Sequence, residues 1–134
     1  MSLEGAIGQI QTIVRAIPGI QSAPTSPPSS AGAFPFAVSY PRSGNLVMNS
    51  VDWGNVLHTV YTELHFANQL LEISIPQSMP YARLVFLGLM ADVTLGGNVS
   101  EISAVRYTFG KLAWAGVETI GFRFEIDMKE GIQR

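Results

Sequence analysis

Cysteine is absent from the chain, so disulfides and thiolate metal sites are both excluded. Charge is scarce as well. Asp, Glu, Lys and Arg make up 13% of the 134 residues, about half the usual fraction. With 8 Lys and Arg against 10 Asp and Glu, the formal net charge is −2. That balance supplies no basic stripe for gripping nucleic acid. Long apolar runs are missing too: the densest, Leu84 to Ala91, is interrupted by Gly88 and is too short to cross a bilayer. Met1 to Ile10 contains a glutamate and no basic residue, unlike a signal peptide. The expectation is a soluble protein with no membrane partner.

Hydrophobic types, by contrast, reach 47%, with two Trp and eleven Phe and Tyr residues. The length suits a single domain, 1–134, able to close a real core. A surface so poor in charge must be covered by Ser, Thr, Asn, Gln and Gly, or be partly buried against other subunits. Aromatic residues serve cores and interfaces equally well.

The clearest pattern runs from Glu118 to Met128. Ile120, Phe122, Phe124, Ile126 and Met128 alternate with Gly121, Arg123, Glu125 and Asp127. A period of two sets one row against an apolar core and the other towards water or a partner. Val56 to Phe66 alternates similarly, as does Phe34 to Tyr40, and Glu101 to Lys111 forms a further strand. Pro41 to Gly44 and Asn45 carry turn chemistry. A turn near Ala113 to Gly116 joins the last two strands as an antiparallel hairpin.

Leu3, Ile7, Ile10, Val14 and Ile17, widened by Ala6 and Ile13, predict an amphipathic helix over 3–17. Ser2 is its N-cap, Pro18-Gly19 its end, and Gln9, Gln11, Thr12 and Arg15 its polar side. A second helix is expected from Pro80 to about Asp92, capped by Ser78 or Met79, with Gln69 to Ile75 left ambiguous. Between the first helix and the first strand, 21–33 is a Pro/Ser-rich surface loop, either disordered or engaged with a partner. The class is α+β: a mainly antiparallel sheet packed by two helices.

Chemical constellations are weak. His58 and His65 fall on opposite faces of one strand, so a shared zinc site is not expected. His65 and Glu63 share a face, as an acid–base pair or a simple surface contact, and no third group orients them. The scattered carboxylates define no hydrolytic pair. Arg123, Glu125 and Asp127 read as salt bridges or subunit contacts rather than a metal site. Gly96-Gly97-Asn98 lacks the residues of a phosphate loop. No catalytic residue, cofactor or metal is assigned. The candidate subunit or partner contacts are Arg42, Asn45, Asp52, Trp53, Arg106, Arg123, Glu125 and Asp127. Pro24 to Ser30 and Gly44 to Gly54 are the expected contact loops.

The order of pieces resembles the tail terminator, or tail completion, proteins of long-tailed bacteriophages. The likeness rests on the N-terminal helix, on Phe34-Pro35-Phe36-Ala37-Val38-Ser39-Tyr40, and on Thr62-Glu63-Leu64-His65-Phe66. The proline-marked approach to a helix at Ile75-Pro76 and Met79-Pro80-Tyr81, and the closing strand Val117 to Ile126, complete it. The likeness spans roughly residues 3–128, and order and length carry it more than any single motif. The 21–33 loop and the low charge depart from the family pattern. The resemblance implies a non-enzymatic virion protein at the tail–head junction, assembled in the host cytoplasm as a homo-hexamer. Such a ring caps the tail tube protein, ends its polymerisation and meets a head–tail connector protein. Genomic DNA passes through its channel without sequence recognition. Another head–tail connector or minor tail protein is the alternative, ahead of a small ligand-binding domain or hydrolase.

Overall fold

The computed structural model describes residues 2–133. Helix α1 (Leu3–Arg15) opens on Ser2, whose Oγ accepts the Gly5 N–H at 2.9 Å, satisfying one of the orphan donors of the first turn. Its apolar stripe buries Ala6, Ile10 and Val14, with Ile17 following just beyond the helix. The helix ends two residues before the predicted limit. Gln11 corrects the expected polar side, for it is 1% exposed. Its amide donates to the carbonyls of Pro24 and Ala37, and its oxygen accepts from Ser39 Oγ at 2.6 Å. A buried amide is tolerable only when satisfied in this way.

Four strands follow: β1 (Phe36–Met48), β2 (Trp53–Ala67), β3 (Glu101–Trp114) and β4 (Val117–Gln133). They form one antiparallel sheet in the order β1-β2-β4-β3, so β1 and β3 are its edges. The turn expected at 41–45 does not occur. Pairing passes from Pro41↔Val60 to Ser43↔Thr59, leaving Arg42 as the extra residue of a bulge. An edge strand tolerates both the missing proline N–H and the bulge. Most of Gly44 to Gly54 is therefore strand rather than loop, and the connection is 49–52. The β3–β4 turn is Ala115-Gly116, with φ of 52° and 79°, the positive pair of a type I′ hairpin.

Helix α2 (Leu71–Met90) starts nine residues before Pro80 and contains both Pro76 and Pro80. The expectation treated proline as a first-turn residue only. The two prolines are four apart on one exposed face, so the carbonyls they release, those of Glu72 and Pro76, face water. The opposite stripe of Ser74, Ser78, Ala82, Val85 and Leu89 is buried.

Both helices cover the face of the sheet predicted to be apolar. Ile120, Phe122, Phe124, Ile126 and Met128 are all buried there, beside Val60 and Leu64. Phe86 of α2 meets Phe124 edge-on, 5.8 Å between centroids. The 21–33 loop is tied to its own chain. Its backbone pairs at Gln21 N–Pro35 O and Ala37 N–Ser22 O, Arg15 donates to the Ala23 carbonyl, and the Trp114 indole donates to the Pro28 carbonyl.

Gly121 and Gly110 face each other across β4 and β3, yet differ in surroundings. A Cβ on Gly121 would collide with the Leu64 carbonyl oxygen, whereas one on Gly110 would meet nothing within 4 Å. Gly121→Ala should therefore destabilise the fold by about 2 kcal/mol or more, and Gly110→Ala by much less. Urea titrations of the two variants would give equal midpoints if the close approach at Gly121 were absent.

Candidate functional site

The helix-free face of the sheet carries a buried polar network. Glu63 and His65, adjacent on one side of β2, are 2% and 0% exposed. Of the two readings their spacing left open, an acid–base pair or a simple surface contact, burial removes the surface contact. His65 Nε2 lies 2.9 Å from Glu63 Oε1. A carboxylate only accepts, so Nε2 carries the proton and Nδ1 meets Thr119 Oγ1, 2.5 Å away on β4. Tyr40 of β1 donates its hydroxyl to Glu63 Oε2, and Arg123 Nε of β4 reaches the same oxygen at 3.0 Å. Three strands thus converge on one carboxylate.

Aromatic rings seal it. Phe36 stacks on the His65 ring at 4.6 Å and 7°, and Trp114 approaches edge-on at 6.2 Å. Arg123 lies over the Tyr61 ring at 5.0 Å. Burial on its own would raise the Glu63 pKa. The hydrogen bonds from His65 and Tyr40 and the Arg123 charge outweigh it and hold the carboxyl below its usual range. Tyr40 moves the other way, raised by burial and then by its bond to the charged Glu63. A glutamate–histidine pair can move protons in principle. Here its approaches are filled by Phe36, Trp114 and the strands themselves, and the arrangement ties β1, β2 and β4 together.

The predicted contact residues distribute as follows. Arg123 leaves Glu125 and Asp127 and pairs with Glu63 instead. Those two carboxylates are bridged by Arg106 from β3, at 2.5 and 2.7 Å, because Arg106 stands opposite Glu125 in register. Thr59 Oγ1 also donates to Asp127, at 2.7 Å. Burial would raise the Asp127 pKa, but Arg106 and Thr59 together lower it. Asn45, Arg106 and Asp127 line one open concavity of about 450 Å³ with His58, and His58 bonds Glu130 at 2.9 Å. Arg42 sits in the β1 bulge and donates to the Tyr61 hydroxyl at 3.2 Å. Asp52 and Trp53 are exposed at the far end of the β1–β2 hairpin. The residues thus fall into three groups rather than one site.

Sequence reasoning named Trp53 and the 44–54 segment as contacts, but not the apolar character of the surface around them. Leu46, Val47, Met48, Val51, Trp53 and Ile132 are all exposed at the hairpin tip and the adjoining end of β4. A second apolar region, formed by Phe86, Leu89, Met90, Val93, Ile102 and Val105, lines a groove of about 340 Å³ between α2 and the edge strand β3. The available signal was the apolar richness of α2 itself: Leu71, Ile73, Ile75, Met79, Leu84, Leu87 and Met90 are exposed outside its buried stripe. Among the described residues, no helix is long and apolar enough to cross a membrane, and no cluster of three or more His, Cys, Asp or Glu could hold a metal ion. No protein-family model matches the chain, and no curated protein matches it.

The lowered Glu63 pKa sets the sign of a pH effect. Its stabilisation is complete above the ordinary value of 4.5 and is lost as pH falls through the lower folded value. At pH 7, Glu63→Gln should cost about 3 kcal/mol, since it strands buried partners, and should flatten the acid limb of the stability curve. Denaturant titrations between neutral and acid pH check both. An unchanged acid limb in the variant would remove Glu63 as its source.

Proposed function

We propose that the protein is a structural virion component of a long-tailed phage. It caps the tail tube as a ring, ends tube polymerisation and forms the joining surface to the head. The observation that carries this reading is the pair of long edge strands at opposite sides of one sheet: β1 of 13 residues, bridged to Ser22 at Phe36 and Ala37, and β3 of 14, bonded to Val93 at Ile102. The stretches of edge beyond those contacts invite pairing with another chain. Two different side surfaces on one subunit suit a heterologous contact, and such contacts close into rings when the rotation permits. The apolar surface at the hairpin tip and around α2 supports burial in an assembly for the same reason.

The order and lengths of elements also support the reading: the helix–two strands–helix–two strands sequence is that of the tail terminator resemblance. Its partners would be five further copies of the chain, the tail tube protein and a head–tail connector protein, with DNA passing through the channel unread. The ion pairs of Arg106 and the sealed Glu63 network then serve rigidity rather than turnover.

Native mass spectrometry and negative-stain electron microscopy of the purified chain should reveal a hexameric ring. Added to polymerising tail tube protein, that ring should sit at tube ends and shorten the tubes. A ring that leaves tube growth untouched would remove the capping role.

A further inference from the structure

We infer that Arg42 and Arg123, held against the Tyr61 ring on the helix-free face of the sheet, form a binding site for a phosphate group. The inference does not rest on the tail-capping reading. Three strands build the site. The bulge between Pro41 and Ser43 adds Arg42 to β1, and an extra residue of this kind re-aims a side chain. Arg42 Nε donates to the Tyr61 hydroxyl at 3.2 Å, and its guanidinium carbon lies 5.8 Å from the ring centroid. Arg123 reaches the same ring from β4, its guanidinium carbon 5.0 Å from the centroid. Attraction between each cation and the ring face helps to hold both in place.

Two like charges gathered on one ring repel unless anions balance them. Arg123 has one such anion in Glu63, which its Nε meets at 3.0 Å. That carboxylate is 2% exposed and is already engaged by Tyr40 and His65, so nothing is left for Arg42. Glu125 stands opposite Tyr61 in register, but Arg106 holds it at 2.5 Å. Among the described residues, the exposed Arg42 meets no carboxylate, and neither guanidinium donates to a protein atom from its terminal nitrogens. The Tyr61 hydroxyl accepts from Arg42 and keeps its own proton to give.

The site thus offers two planar forks and a hydroxyl donor, with one positive charge left unbalanced. A fork takes two oxygens at a time. A phosphate has oxygens for both forks, whereas a carboxylate fills only one. With a net charge of −2, the chain adds no long-range pull on an anion, so the contact is local. The shared chemistry is one phosphate group, either of a small phosphate ligand or of a nucleic-acid backbone.

The test follows the arginine Nε–H signals of the isotope-labelled full chain by NMR in phosphate-free buffer. Inorganic phosphate, adenosine monophosphate and oligothymidylate are added in separate titrations, with acetate as the control. Arg42 and Arg123 should shift together and saturate with each phosphate probe, while Arg83, exposed on α2, stays still. Acetate should bind at least ~10-fold more weakly. Arg42→Gln should weaken phosphate binding at least ~10-fold with an unchanged thermal midpoint. Arg42→Lys keeps the charge but loses the fork, so it should recover only part of that loss. Affinity that rises with oligothymidylate length and falls with salt assigns the phosphate to a nucleic-acid backbone. Equal affinity for all three probes assigns it to a small ligand. Arg42 and Arg123 signals unmoved by ~20 mM phosphate would overturn the proposal, as would an equal response to acetate. Equal losses in Arg42→Gln and Arg83→Gln would overturn it too, by reducing the effect to overall charge.

Discussion

Strand β4 is paired along most of its length with β2 on one side and with β3 on the other. Its two rows of side chains therefore cannot rotate or slip independently of the rest. A one-residue slip would exchange Phe122, Phe124 and Ile126 for Arg123, Glu125 and Asp127 against the helices, burying charge in hydrocarbon. The register of the whole sheet follows from avoiding that exchange. Helices α1 and α2 then have one face to pack on, and the 21–33 loop has fixed carbonyls to present to Gln11, Arg15 and Trp114.

The second face of β4 is where the fold becomes unusual. Glu63 and His65 would ordinarily stay at the surface, yet the β2–β4 register brings Arg123 and Thr119 beside them, and β1 brings Tyr40 and Phe36. A buried carboxylate surrounded by donors on every side is stable where it sits and intolerant of losing any one of them. This makes one end of the sheet rigid on both faces. The other end, with the hairpin tip and the start of β3, carries no such cover. The sheet is thus divided into a closed end and an end with exposed apolar side chains.

Alternation in Ile120 to Met128 and in Val56 to Phe66 was legible because a strand face is a local property, written at every second residue. The N-cap at Ser2 and the stripe of α1 were legible for the same reason. The start of α2 was not. Proline reads as a helix boundary unless the carbonyls it frees can face water, and which side of α2 faces water is settled by packing. Pro41 misled similarly: turn chemistry and an edge-strand bulge share residue types, and only pairing with β2 distinguishes them.

Composition and periodicity by themselves determined the class, the apolar row of the final strand and the poverty of charge, since each depends on neighbours in the chain. Gln11, Glu63 and His65 belonged to the tertiary structure. A polar side chain can be buried only where distant donors and acceptors converge on it, and here those partners lie up to tens of residues away, on other strands. The partners of Arg106 and Arg123 were decided in the same way, by cross-strand register rather than by adjacency, because an ion pair forms with whichever carboxylate the fold sets within reach.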